Sequence, residues 1–120
     1  MKVLIVDDSA AMRMMVIRTL RQAGLNDHKF IQAADGDEGL NQVRDDNPDL
    51  VLADWNMPNM TGIEMLEALR EEGNEVKVGF ITTESTSAMR SRASAAGALF
   101  LVGKPFTVES FEQALAPLLG

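Results

Sequence analysis

Cysteine is absent from all 120 positions, which rules out a disulfide framework and any thiolate metal centre. Histidine is almost as scarce: His28 is the only one and has no partner of its kind, so a surface position is expected of it, not metal binding. Long apolar runs are lacking too, and none reaches the roughly 18 residues that a membrane-spanning helix needs. Met1-Lys2 leads directly into a short strand-like segment in place of a signal-peptide core, so the chain is expected to be soluble and cytoplasmic. Basic residues are outnumbered, 11 Lys and Arg against 18 Asp and Glu, for a formal charge of −7. A nucleic-acid backbone would be repelled on average, and no direct nucleic-acid binding is expected. With no linker, repeat or low-complexity tract to divide it, residues 1–120 read as a single domain with one core.

What the sequence does contain is a regular series of short apolar runs. Val3-Leu4-Ile5-Val6, Phe30-Ile31, Leu50-Val51-Leu52-Ala53, Val78-Gly79-Phe80-Ile81 and Ala98-Leu99-Phe100-Leu101-Val102 read as five strands. Near-continuous apolarity in four of them suits strands buried on both faces of a parallel sheet, which requires helical crossovers. The intervening segments supply these. In the first, Met12, Met15, Val16, Leu20 and Ala23 follow helical spacing, leaving Met14 and Ile17 off the stripe, and the helix is expected to end at Gly24. Gly73 and Gly97 mark the ends of the third and fourth helices, where a left-handed residue is easiest for Gly. Thr61-Gly62-Ile63-Glu64 has the spacing of a capping box and starts the third helix. The fifth is expected to begin near Thr107, to bury Val108, Phe111, Leu115 and Leu118, and to be strained or ended by Pro117. Five βα units are too few for a barrel. The expected fold is therefore α/β: a flavodoxin-like, doubly wound sandwich of three layers around a five-stranded parallel sheet of order 2-1-3-4-5. Right-handed crossovers then cover both sheet faces, and a ligand site lies beyond the carboxyl ends of strands 1 and 3.

Polar residues collect at those strand ends: Asp7-Asp8 after the first, Asp54 after the third, Thr82-Thr83 after the fourth and Lys104-Pro105 after the fifth. Taken singly each has an ordinary explanation, Asp7 and Asp8 as caps of the first helix, Asp54 as a loop carboxylate, Thr82 as a strand-end hydroxyl and Lys104 as a solvated lysine. Taken together they describe a site. Three carboxylates in one place repel unless a cation lies among them, and the all-oxygen donor set, with a backbone carbonyl after Asp54, suits Mg²⁺. A carboxylate beside such an ion can take a phosphoryl group covalently, with Lys104 and the Thr82 hydroxyl meeting its oxygens.

Asp7-Asp8-Ser9, the run Asp54-Trp55-Asn56-Met57-Pro58-Asn59-Met60, Thr82, and Lys104-Pro105-Phe106 resemble the receiver domains of two-component response regulators, CheY-like ones especially, over essentially the whole chain. The resemblance implies phosphorylation on Asp54, with Asp8 and Asp54 as direct Mg²⁺ ligands, Asp7 acting largely through water and the Asn56 carbonyl as a further ligand. It implies a sensor histidine kinase or a histidine phosphotransfer protein as donor, and a cis peptide before Pro105 that turns Lys104 into the site. Family members set the lifetime of the phosphorylated state at the positions held here by Asn56 and Glu84, and this pair implies a short one. The switch runs from Thr82 to a residue on the fifth strand that turns inward, and to a partner bound on the face of the fourth helix, fifth strand and fifth helix. That strand position is an aromatic in CheY-like members and Leu101 here, a departure from the pattern. Phe100 points to the opposite sheet face and is expected in the core. The fourth helix offers another movable element, since Ser85, Thr86, Ser87, Ser91 and Ser94 lower its propensity and Ala93 and Ala96 pack little.

Other functions fit less well. In a flavodoxin-like redox protein, Asp7-Asp8 would repel the cofactor phosphate. A haloacid-dehalogenase-type phosphatase needs a second Asp two residues after its nucleophile, where Asn56 stands. A phosphate-independent interaction module would have no need of the acceptor and metal residues, all of which are present. With the chain closing on its fifth helix, no effector domain is expected, and a stand-alone chemotaxis-type regulator is one possible output.

Overall fold

The computed structural model describes residues 1–119. Strands β1 (Lys2–Val6), β2 (Lys29–Ala33), β3 (Leu50–Asp54), β4 (Lys77–Thr82) and β5 (Leu101–Gly103) alternate with helices α1 (Ala10–Leu20), α2 (Gly36–Asp46), α3 (Gly62–Glu71), α4 (Ser87–Ala95) and α5 (Val108–Leu119). All strand pairs are parallel and the order is β2-β1-β3-β4-β5, the expected doubly wound arrangement. Alternate strand residues feed two cores. Leu4, Val6, Val51, Ala53, Val78 and Phe80 pack toward α2, α3 and α4, whereas Val3, Ile5, Leu50, Leu52, Ile81 and Val102 pack toward α1 and α5. Each larger apolar side chain so buried stabilises the fold by about 1.5–3 kcal/mol relative to exposure, so the central strands β1, β3 and β4 form a rigid platform whose carboxyl ends carry the polar residues.

Local signals fix where the helices begin. Ser9 caps α1, accepting from the Met12 N–H, so neither Asp7 nor Asp8 fills that role. Thr61 and Glu64 close the expected capping box on α3, and Thr86 caps α4 by accepting from Met89 N–H. Gly73 and Gly97 take φ of 78° and 82° just past α3 and α4.

Four expectations need correction. The regular part of α1 stops at Leu20, and a π-helical turn over Arg21–Leu25 carries Ala23 and Leu25 into the core on either side of Gly24, where φ is 116°. The buried stripe of α1 is also displaced: Ile17 is 3% exposed and belongs to the core, while Met15 is 53% exposed. The cause is that α1 packs on α5 as well as on the sheet, in one cluster with Phe111 and Leu115, so the sector it buries is centred nearer Val16-Ile17-Leu20. Strand β5 begins at Leu101, not Ala98. Leu99 N–H and Phe100 C=O already bond to Val78 and Phe80, but Leu99 itself is exposed at the sheet edge. Phe100 is half-buried on the α1–α5 side, where its ring covers the bare backbone of Gly79; a Cβ there would lie 2.2 Å from the ring. Pro117 does not end α5, which runs through it to Leu119 with Phe111 and Leu115 fully buried and Val108 and Leu118 half-buried.

Candidate functional site

The strand registers bring the polar residues to one edge: β3 pairs with β4 up to Asp54 and Ile81, and β4 with β5 up to Thr82 and Gly103. Asp7, Asp8 and Asp54 each offer a carboxylate oxygen within 4.8 Å of the others. Lys104 Nζ lies 3.1 Å from Asp54 Oδ2 and 3.7 Å from Asp7 Oδ2. The peptide between Lys104 and Pro105 is cis, as the resemblance implies, and Lys104 N–H donates to the Thr82 carbonyl at 2.8 Å, joining the β5 exit to β4. Thr82 is fully buried, and its Oγ1 accepts from Glu84 N–H at 3.2 Å. Asp54 Oδ1 accepts from Asn56 N–H, also at 3.2 Å. The Asn56 and Glu84 side chains are exposed.

Asp7 shows the electrostatic tension most clearly. It is 4% exposed, and burial pushes its carboxyl above the ordinary 3.8, opposed by the hydrogen bond from Ser9 N–H. The nearby Asp54 and Asp8 charges push the same way as burial, and only Lys104 counters them. Three carboxylates against one ammonium leave two formal negative charges unmatched. The donors are all oxygens, one side of the cluster is open at Asp8, and Asn56 follows Asp54 closely enough to turn a carbonyl inward. That set fits a hard divalent cation of the Mg²⁺ kind.

Backbone contact holds Asp54 in place. Gly62, the first residue of α3, donates to the Trp55 carbonyl at 2.9 Å, and a Cβ on Gly62 would lie 2.4 Å from the Asp54 carbonyl oxygen. Gly62→Ala is therefore expected to destabilise the protein by about 2 kcal/mol through overpacking. Urea midpoints would show it, and a midpoint equal to wild type would mean that α3 yields without disturbing Asp54. The Trp55 indole turns away from the carboxylates and packs edge-on against Phe80, ring centroids 5.1 Å apart.

Two further residues bear on the site that sequence reading missed. Ser9 fixes the loop after β1 as cap and as donor to Asp7. Arg13 folds back so that its Nη1 donates to the Asp7 carbonyl at 2.6 Å. Its place off the apolar stripe of α1 marks it as solvent-facing, and spacing alone carries no sign of the return contact. Leu101 is half-buried on the α4 side of the sheet, where a hollow of about 210 Å³ opens between Arg90, Ala93 and Ser94 of α4 and Leu99 and Leu101. His28 lies beside the N-terminus, with Nδ1 2.6 Å from the Met1 nitrogen and far from the carboxylates in the sheet. A hollow of about 510 Å³ at the opposite end of the strands, between Met1, Pro48 and Lys77, has no part in the cluster. No helix among the described residues is long and apolar enough to cross a membrane.

Fold and site together define a doubly wound α/β protein with an acidic, lysine-countered cluster at its topological switch point. Residues 3–116 match the response regulator receiver domain, and the chain belongs to that family. Among its relatives, a probable chemotaxis protein CheY from Rhizobium etli is 36% identical over 121 residues, covering 99% of this chain and 92% of the relative. Chemotaxis protein CheY-3 of Vibrio cholerae is 38% identical over 117 residues, covering 96% and 88%. The solved structure of chemotaxis protein CheY4 of Vibrio cholerae superposes with a TM-score of 0.84 at 36% identity, covering 97% of this chain and 96% of that one.

Proposed function

We propose that residues 1–120 act as one receiver unit of a two-component phosphorelay, taking a phosphoryl group from a histidine kinase or histidine phosphotransfer protein on Asp54. The observation that carries this reading is the placement of the Asp54 carboxylate 3.1 Å from Lys104 Nζ and within 4.8 Å of Asp7 and Asp8. An Asp54 oxygen attacks phosphorus, and the bond from phosphorus to the donor imidazole nitrogen breaks, leaving an acyl phosphate. Mg²⁺, when bound, neutralises charge on the transferring group. Asp8 and Asp54 would hold it directly, with the Asn56 carbonyl, and Asp7 through water. Lys104 meets one phosphoryl oxygen and the Thr82 hydroxyl donates to another. The protein promotes only its own phosphorylation and dephosphorylation, and is a regulator, not a metabolic enzyme.

The test is intact mass after incubation with Mg²⁺ and acetyl phosphate. One added phosphate, base-labile, is expected for the wild type and none for Asp54→Ala. Retention of the adduct in that variant would remove Asp54 as acceptor. Because Asn56 and Glu84 flank the acceptor with exposed polar side chains, water reaches the phosphorus, and the adduct is expected to be short-lived. Replacing both with bulky apolar residues is expected to slow its decay severalfold with little change in Mg²⁺ affinity. A decay rate unaltered by both changes would exclude that control of lifetime.

The output partner is proposed to bind the face of α4, β5 and α5. The similarity to chemotaxis proteins supports a stand-alone regulator of that type, acting in the cytoplasm.

A further inference from the structure

The side chain of Arg13 is placed where simple electrostatics would not put it. It lies in the first turns of α1, the positive end of the helix dipole, where a cation is disfavoured and no acidic residue offsets it. It forms no ion pair among the described residues, so it is not there to neutralise a carboxylate. Its guanidinium instead spans two backbone-bearing elements: Nη1 donates to the Asp7 carbonyl at 2.6 Å and Nε to Gln32 Oε1 on β2 at 2.8 Å. Arginine suits this because its donors sit in a rigid planar fork, so both contacts set one geometry.

Asp7 is thereby held at its N–H, its Oδ1 and its carbonyl. Its N–H donates to the Ala33 carbonyl at 3.1 Å, its Oδ1 accepts from Ser9 N–H at 2.9 Å, and its carbonyl is gripped by Arg13. Asp8 has no such support. It is exposed and makes no hydrogen bond of its own among the described residues, so the direction of its carboxylate depends on the plane of the Asp7–Asp8 peptide. That plane is what Arg13 fixes.

We infer that Arg13 is a positioning residue for the cation site: by clamping the Asp7 carbonyl against α1 and β2 it orients Asp8 toward Asp54, and so sets Mg²⁺ affinity without touching the ion. The inference rests on the receiver reading above. Groups behind metal ligands commonly change affinity by about 10-fold or more when removed, because the ligand then pays for its own ordering.

Mg²⁺ titration of the metal-free protein followed by amide NMR tests it, with acetyl phosphate kinetics at rising Mg²⁺ alongside. Arg13→Met is expected to raise the dissociation constant for Mg²⁺ about 10-fold. Its phosphorylation rate at saturating Mg²⁺ should return to near the wild-type value. Arg13→Lys, which keeps a donor for the carbonyl but cannot also reach Gln32, is expected to fall between the two. Unchanged Mg²⁺ affinity in Arg13→Met overturns the inference, as does a rate that stays low at saturation. Should Arg13→Met fail to fold, Gln32→Ala decides: a twofold or greater loss of affinity supports the clamp, and wild-type affinity overturns it. A wild-type protein that neither binds Mg²⁺ nor takes up phosphate would instead overturn the receiver reading.

Discussion

Asp7→Asn is expected to make the metal-free protein more stable at neutral pH, by about 1 kcal/mol, while lowering its Mg²⁺ affinity about 10- to 100-fold. Asp7 is buried beside Asp54 and Asp8, and its carboxyl is raised above 3.8 first by burial and then by those charges. A carboxyl raised on folding contributes its full stability below the unfolded value, and loses it as pH climbs through the raised one. At pH 7 the ionised group therefore works against the fold, and only Lys104, 3.7 Å away, opposes the repulsion. Asparagine keeps an oxygen to accept from Ser9 N–H and removes the charge. Urea midpoints without metal should favour the variant at pH 7, with the advantage narrowing toward pH 4. Equal midpoints at pH 7, or an advantage that grows on acidification, would show that Asp7 is not under tension. The same substitution should abolish most of the stabilisation that added Mg²⁺ gives the wild type, since binding to the folded state alone stabilises in proportion to affinity.

Stability sacrificed at one place for binding explains why the site was legible and its support was not. Asp7, Asp8, Asp54, Thr82 and Lys104 stand at the ends of apolar runs, and such runs announce buried parallel strands whatever their neighbours are. Once the strands are aligned, the polar residues must meet. The strand starts and helix faces depend instead on tertiary packing. Met15 and Ile17 are both apolar residues on one helix, and only the position of α5 decides that Ile17 is covered and Met15 is not. Leu99 and Phe100 continue an apolar run and already bond to Val78 and Phe80, yet Leu99 is left exposed at the sheet edge and Phe100 settles over Gly79 because that residue lacks a side chain. Arg13 was least visible of all, since its partner is a backbone carbonyl, which every residue has.

Binding of beryllofluoride, a phosphoryl mimic, is expected to change amide exchange by about tenfold or more across the β4–α4 connection and the first half of α4, residues 83–90, and at Leu101. The reason is how unevenly α4 is attached. Its C-terminal end is tied down: Arg70 donates from Nε to Ala96 O at 3.0 Å and from Nη2 to Gly97 O at 3.3 Å, with Nη1 holding Asn74 O and Val76 O. Arg92 adds an exposed pair with Glu67 at 2.7 Å, which solvent screens and which adds little to the hold. Its N-terminal end is held by the Thr86 cap and a half-buried Met89, and Ala93 is the one residue of the helix that is buried. Beneath it lies the hollow against Leu101, and at the root of the connection stands Thr82, whose Oγ1 accepts from Glu84 N–H. If that hydroxyl turns to donate to a phosphoryl oxygen, the Glu84 contact is weakened, and the loosely held end of α4 pivots about the Arg70 anchor into space that already exists. Thr82→Ala should still bind the mimic but show little change beyond the carboxylate loops. Exchange differences confined to α1 and those loops in the wild type would rule out α4 as the moving element and place the response on the exposed Met14-Met15 side of the molecule.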